Sequence, residues 1–170
     1  MTNNYCNWST GLVACLFLVL SNMSLACSSE KHRQFDFWLG EWTVTQTNGT
    51  LAGTNHIRLN ENGCVLHEHY RTPTGYEGES LNIYDQSRDV WHQTWVDNQG
   101  TLLLIEGGWR DGAMVMEGQG FVAPGKSALN RITWTPNPDG TVRQHWQYQD
   151  EKQQWITMFD GLYKKTPSKP

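Results

Sequence analysis

The sequence predicts an all-β protein, an antiparallel up-and-down barrel of about ten strands. From Gly40 onward, turn signals recur about every twelve residues, and the segments between them are rich in Trp, Tyr, Thr, Val and Ile. This spacing is typical of an antiparallel meander. Apolar residues at helical spacing are too few for a helix, except for one turn around Gln34–Leu39. The chain of 170 residues shows no internal boundary and suits a single domain.

Nine turn signals separate the ten predicted strands. Asp111-Gly112 is the clearest, because Asp-Gly between two apolar segments favours a two-residue hairpin. The remaining eight are Asn48-Gly49, Asn62-Gly63, Thr74-Gly75, Asp85–Arg88, Asn98–Gly100, Pro124-Gly125, Pro138–Gly140 and Asp150–Lys152. Sequential antiparallel strands leave two edges unpaired unless the sheet closes or splits, so closure into an up-and-down barrel is the simplest arrangement.

Alternation along the strands predicts which side chains face the barrel interior. Trp91, Gln93 and Trp95 share one strand face, and Asp97 continues it. Because side chains alternate with a period of two, we assign the ring-bearing face to the interior. The same reasoning adds Val142, Gln144, Trp146 and Tyr148 of one segment, Ile132 and Trp134 of another, and Trp155 and Phe159 of the last.

The octet F-D-F-W-L-G-E-W, residues Phe35–Trp42, places four aromatic residues just before and at the start of the first predicted strand. A wide barrel has an open end, and we expect this aromatic turn to plug it. Gly40-Glu41-Trp42 then begins the first strand, with Trp42 packed under the plug. The alternative is an exposed aromatic patch that binds a partner.

The octet also resembles the G-x-W start of calycin barrels, such as lipocalins and nitrobindin-type proteins. With further stretches, it resembles an uncharacterised bacterial family of small calycin-like β-barrel proteins of unknown function. Those stretches are G-E-S-L-N-I-Y-D (Gly78–Asp85), W-H-Q-T-W-V-D-N (Trp91–Asn98), R-I-T-W-T-P (Arg131–Pro136) and F-D-G-L-Y (Phe159–Tyr163). The resemblance covers about residues 35–164. It implies a calycin-like barrel and no particular activity.

Residues 1–26 have the pattern of a signal peptide, which predicts an extracytoplasmic protein, periplasmic or secreted. A polar start precedes the apolar run Gly11–Leu20, which is too short to span a bilayer. Ser24-Leu25-Ala26 fits a small-x-small cleavage site. No Lys or Arg precedes the apolar run, unlike most signal peptides.

The predicted mature domain is residues 27–170, with a barrel core of about 35–164. It retains two cysteines, Cys27 and Cys64. Cys27 directly follows the cleavage site, as in a bacterial lipoprotein, so a lipid anchor on Cys27 is one expectation. Without a lipid, the two cysteines either form a disulfide bridge or remain as free thiols.

We expect an interior cavity, because a ten-stranded barrel is wider than an eight-stranded one. The predicted inner faces set amides among indole rings, which suits a ring-containing or hydrophobic small molecule. The candidate ligand-binding residues are Tyr70, Asn82, Gln93, Trp95, Gln144 and Trp146. The favoured prediction is a non-catalytic binding barrel. The alternative is a filled structural or interaction barrel whose amides bond to each other or to buried water.

A calycin-type enzyme is also considered, with an acid–base pair from Glu68, Tyr70 or Asp97. These residues would place a carboxylate and a phenol near a pocket mouth. The sequence contains no nucleophile elbow, P-loop, dinucleotide fingerprint or zinc-finger spacing. No catalytic residue is therefore assigned.

Metal, haem and nucleic-acid partners are not predicted. His67 and His69 share a strand face, a workable spacing for two metal ligands, but no third ligand lies at a nearby spacing. A solvated outer face is the favoured interpretation. Nitrobindin-type barrels bind haem through a histidine, and none of His56, His92 or His145 lies in a matching motif. The net charge of −4, with no basic stripe, argues against a nucleic-acid partner.

Overall fold

Ten antiparallel strands form the fold in a computed structural model of the protein, which describes residues 27–167. The strands are β1 (Gly40–Gln46), β2 (Leu51–Asn60), β3 (Val65–Arg71), β4 (Glu77–Asp85), β5 (Val90–Asp97), β6 (Leu102–Arg110), β7 (Ala113–Ala123), β8 (Lys126–Pro136), β9 (Val142–Gln149) and β10 (Trp155–Lys165). The predicted signal segment, residues 1–26, lies outside the described residues.

Helical structure is confined to three short pieces in the part of the chain that the structure describes. They are α1 (Glu30–Arg33) and two 3₁₀ turns, Asp36–Trp38 and Glu61–Gly63. The helix α1 lies just before the single helical turn that the sequence predicts around Gln34–Leu39, and the 3₁₀ turn Asp36–Trp38 lies within it. Within residues 27–167, no helix is long and apolar enough to cross a membrane.

Each strand pairs with the next along the chain, and β1 pairs with β10 to close the barrel. At the closing seam, Val44 lies opposite Tyr163. The up-and-down barrel predicted from the turn spacing is therefore confirmed, and all nine turn signals lie at connections between strands. Asp111 and Gly112 both adopt positive φ, 53° and 78°, the backbone that a two-residue type I′ hairpin requires.

The aromatic octet plugs one end of the barrel, as predicted. Phe35 and Trp38 are fully buried and stack with their ring centroids 4.9 Å apart. The Phe35 ring also meets Trp91 and Trp134 edge-on, at 5.7 and 5.2 Å. Below the plug, Trp42 Nε1 donates a hydrogen bond to the Trp38 carbonyl oxygen at 2.8 Å. The alternative, an exposed aromatic patch that binds a partner, is wrong for Phe35, Trp38 and Trp42 because these rings are buried.

Alternation predicts the inner faces of β5, β8 and β9 correctly, but it is wrong for Trp155. A bulge interrupts β10 between Thr157 and Phe159 and changes which residues face inward. Phe159 therefore packs against the core, whereas the Trp155 ring lies 3.9 Å from the guanidinium of Arg131. Arg131 precedes the inward Ile132, so this contact lies on the outer wall.

A disulfide joins Cys27 to Cys64, between β2 and β3. It ties the segment before the plug to the barrel wall. The sequence leaves three states open for Cys27: lipid-modified, disulfide-bonded or a free thiol. In the structure Cys27 is disulfide-bonded. The bridge occupies the sulfur that a lipoprotein-type thioether would need, so these two states exclude each other.

Candidate functional site

A cavity of about 550 Å³ occupies the half of the barrel away from the plug and opens at the barrel mouth. Its volume lies within the range of small-molecule sites, about 300–1,000 Å³. Its walls carry aromatic side chains from four strands, namely Tyr70, Trp95, Trp146 and Phe159. The expectation that ten strands leave interior space is thus met in the half of the barrel away from the plug.

Successive inward positions along the strands form three layers from plug to mouth. On β5, Trp91 belongs to the plug layer, Gln93 to the middle layer and Trp95 to the mouth layer. Trp91 is sealed against Phe35, whereas Gln93 and Trp95 both line the cavity. From plug to mouth, the interior is therefore apolar in the plug layer, polar in the middle layer, which forms the cavity floor, and aromatic in the mouth layer.

Two glycines give the mouth rings room against the wall. A Cβ at Gly53 would lie 2.9 Å from Tyr70 Cζ, and one at Gly78 would lie 2.7 Å from Trp95 Cη2. Both distances are too short for real contacts, so any larger residue would displace these rings. Glycine on the neighbouring strand thus holds each ring at the barrel wall.

Glu68 is the charged group of the polar floor. Its side chain is buried but reaches the cavity lining. Asn55 Nδ2 donates to Glu68 Oε1 at 2.7 Å, and Ser80 Oγ donates to Oε2 at 2.6 Å. Burial raises the pKa of Glu68 to about 7, and the hydrogen bonds from Ser80 and Asn55 offset only part of that effect.

Amides complete the floor on both sides of Glu68. Gln93 Nε2 donates to Asn82 Oδ1 at 2.7 Å, and Asn82 Nδ2 donates to the Leu66 carbonyl oxygen at 3.1 Å. Across the barrel, the Tyr163 hydroxyl donates to Gln144 Oε1. These bonds fix the orientation of both glutamines, because each amide has one end engaged by the protein.

The structure brings five of the six candidate ligand-binding residues together around the cavity, namely Tyr70, Gln93, Trp95, Gln144 and Trp146. Asn82 differs, because it is fully buried behind Gln93 and supports that side chain. Sequence reasoning missed Asn55, Ser80 and Tyr163. Asn55 shares its inward face of β2 with Gly53 and Ile57 and with no ring, so the aromatic pattern gave no signal for it.

Asp97 serves the loop at the mouth rather than the cavity floor. Its Oδ1 accepts the backbone amides of Gln99 and Thr101 at 2.9 and 3.0 Å, and its Oδ2 accepts the Tyr76 hydroxyl at 3.0 Å. Burial alone would raise the pKa of Asp97, but these hydrogen bonds outweigh it and leave the pKa lowered. Of the residues named for an acid–base pair, only Glu68 and Tyr70 line the cavity.

His67 and His69 lie on β3 outside the cavity, where they face glutamates of β4. His67 Nε2 lies 2.9 Å from Glu79 Oε2, and His69 Nε2 lies 3.7 Å from Glu77 Oε2. Within residues 27–167, no group of three or more His, Cys, Asp or Glu side chains is placed to hold a metal ion.

No known protein-family profile matches this chain, and no curated protein matches it. The barrel is compatible with the calycin-like fold that the octet and the later stretches resemble.

Replacing Glu68 should change how stability depends on pH. In the folded protein its pKa rises from 4.5 to about 7, so its stabilising contribution is complete below pH 4.5 and is lost as the pH rises through about 7. That shift corresponds to about 3 kcal/mol. Between pH 4.5 and about 7, the free energy of unfolding of wild type should fall by up to about 3 kcal/mol more than that of Glu68→Gln. Urea unfolding at several pH values measures it, and parallel profiles for the two proteins would contradict the assignment.

Proposed function

We propose that the mature protein is an exported, non-catalytic binding barrel for a ring-containing or hydrophobic small molecule. The observation that carries this proposal is the open cavity of about 550 Å³, with indole walls above an amide floor. Trp95 and Trp146 offer ring faces for stacking, and Gln93 and Gln144 offer hydrogen bonds below them. The resemblance to calycin-like barrels is compatible with this role.

The side-chain arrangement supports binding over acid–base catalysis. Both oxygens of Glu68 already accept hydrogen bonds, from Asn55 and Ser80. Asp97, the second carboxylate considered, is engaged by the mouth loop. The remaining pair is Glu68 with Tyr70, and the raised pKa of Tyr70, about 12, makes its phenol a poor acid or base near pH 7. A bound compound recovered chemically unchanged after prolonged incubation is the expected result for a binding protein.

Export is supported by the Cys27–Cys64 disulfide, because such bridges persist in oxidising compartments and are rare in reducing ones. Mass spectrometry of protein recovered from its native host should find a chain that begins at Cys27. The bridge predicts that this chain carries no lipid on Cys27. A chain recovered from the cytosol with Met1 intact would contradict export.

Ligand binding should raise the melting temperature in a way that depends on Trp95. The screen contains aromatic acids, ring-bearing amines and alcohols, sugars, fatty acids and haem. A compound at a hundredfold excess over its Kd stabilises the protein by about 2.7 kcal/mol, which a melting curve registers. We expect Trp95→Ala to remove most of that shift, because the ring forms a wall of the cavity.

Trp155→Ala is the matched control, since it removes an indole from the outer wall, where it stacks on Arg131. This variant should keep the full ligand-induced shift, measured from its own melting temperature. A shift that survives in Trp95→Ala would place the site elsewhere. If no compound shifts the wild-type protein, the filled interaction barrel becomes the better explanation.

A further inference from the structure

The cavity lining carries charge of one sign. Among the described residues that line it, Glu68 is the one ionisable carboxylate, and none is Lys, Arg or His. Asp97 adds a second negative charge behind the mouth, where its Oδ2 accepts hydrogen bonds from Tyr76 and Trp95. An anionic ligand would meet these carboxylates with no cation to balance it, whereas a cationic ligand would be attracted.

Asn55, which supports Glu68 but does not line the cavity, has a hydrogen-bond acceptor that the described residues do not use. Asn55 is 2% exposed, and its Oδ1 has no hydrogen-bond partner among the described residues. The same amide places its Nδ2 against Glu68 Oε1, so the unpaired oxygen lies beside the carboxylate. Buried polar atoms are nearly always paired. In the cavity itself, a ligand group with several N–H donors would meet the lone pairs of Glu68 that Asn55 and Ser80 leave free.

The aromatic walls suit the same kind of ligand. Tyr70, Trp95, Trp146 and Phe159 surround the space above Glu68. The negative face of an aromatic ring attracts a cation, most strongly where water is excluded. The rings also stack on the flat body of a ligand. Negative charge below and ring faces around it favour an ammonium group attached to a ring.

We infer that the ligand is an organic amine with a ring-bearing body, and that Glu68 is the group that binds its protonated nitrogen. The inference rests on the proposed function and narrows its ligand to one chemical class. It excludes fatty acids and aromatic acids, whose carboxylates would face Glu68.

The groups that face Glu68 determine the pH dependence of this interaction. From the strands around it they are Asn55 of β2, Ser80 of β4 and Tyr163 of β10, with Tyr70 on its own strand. Burial and the charge of Glu68 raise the pKa of Tyr70 to about 12, and that of Tyr163 also lies well above its usual range. Both tyrosines are therefore neutral near pH 7. Amine affinity should rise as the pH rises through about 7, where Glu68 ionises.

Tryptamine, tryptophol and indole-3-acetate share an indole ring but are cationic, neutral and anionic. Comparing their affinities therefore tests the effect of ligand charge at nearly constant shape. Calorimetric titration of the mature, disulfide-bonded protein at about pH 5.5 and about pH 8.5 measures each Kd, and the alkylammonium stays protonated at both, as lysine does. We expect tryptamine to bind roughly tenfold to a hundredfold more tightly than tryptophol at the higher pH. Indole-3-acetate should bind most weakly.

Glu68→Gln keeps the shape of the side chain, and its amide oxygen still accepts the hydrogen bond from Ser80. A flipped Asn55 amide, with its oxygen toward position 68, accepts the new N–H donor. We expect the variant to bind tryptamine no more tightly than tryptophol and to lose the pH dependence. Should the variant fail to fold, the probe comparison at two pH values on wild type decides the question by itself.

The outcomes distinguish this inference from the proposed function. Equal binding of tryptamine and tryptophol by wild type, or preference for indole-3-acetate, would overturn the amine assignment and leave the binding barrel standing. Undiminished tryptamine affinity in folded Glu68→Gln would do the same. If neither these probes nor any compound of the broad screen binds, the proposed function fails and the amine assignment fails with it.

Discussion

Trp38→Ala should lower the free energy of unfolding by about 3–5 kcal/mol, the range for removing a large buried aromatic side chain. The Trp38 side chain is fully buried. Its ring stacks on Phe35 and lies 5.4 Å from Trp134 and 6.4 Å from Tyr163, between ring centroids. The substitution would leave a cavity where several rigid rings meet, and such rings relax little to fill it.

Urea unfolding of Trp38→Ala and of a matched control measures this effect. Trp109→Ala is the control, because the Trp109 side chain is 40% exposed and meets the plug only edge-on, at Phe37. It should cost about 1 kcal/mol or less. Equal, small effects of the two substitutions would show that the octet does not seal the barrel end in solution.

Removing the disulfide should destabilise the mature protein by about 4 kcal/mol. The bridge spans a sequence separation of 37 residues, and a cross-link over that length restricts the unfolded chain by about this amount. It also fixes the segment before the plug against the connection between β2 and β3. Loss of the bridge therefore weakens the anchoring of Phe35 and Trp38 as well.

The double substitution Cys27→Ser and Cys64→Ser tests this without leaving a reactive thiol. Wild type in the presence and absence of reductant provides the matched comparison, and the double variant should melt like reduced wild type under both conditions. An unchanged melting temperature, with the bridge verified in the oxidised protein, would contradict a stabilising role. Oxidised wild type would then owe its stability to the barrel alone.

The barrel could be predicted from the sequence because its signals are local. Each connection carries its own Gly, Asn, Asp or Pro, so turn chemistry marked all nine positions without knowledge of tertiary structure. The plug was predictable for a similar reason, since four aromatic residues lie within the octet Phe35–Trp42. The bulge in β10 had no such signal, and it reversed the face of Trp155.

The cavity was only partly predictable, because alternation gives the face of a residue and not its surroundings. Gln93 and Asn82 both point inward and lie opposite each other in the β4–β5 pairing. Only the packed barrel decides that Gln93 lines the space and Asn82 lies behind it. The setting of Glu68 was beyond local patterns as well, since its partners Asn55 and Ser80 come from the two neighbouring strands.

The central claim, that the open half of the barrel binds a small molecule, is tested most directly by nuclear magnetic resonance of the tryptophan side chains. Titration of ¹⁵N-labelled protein with the best compound from the screen is followed through the indole N–H signals, assigned by single substitutions. Trp95 and Trp146 line the cavity, so their signals should shift and saturate together. The signals of Trp38 in the plug and of Trp134, which is buried against it, should stay in place. Saturable shifts confined to the plug or to the outer Trp155, with Trp95 and Trp146 unmoved, would contradict ligand binding in this cavity.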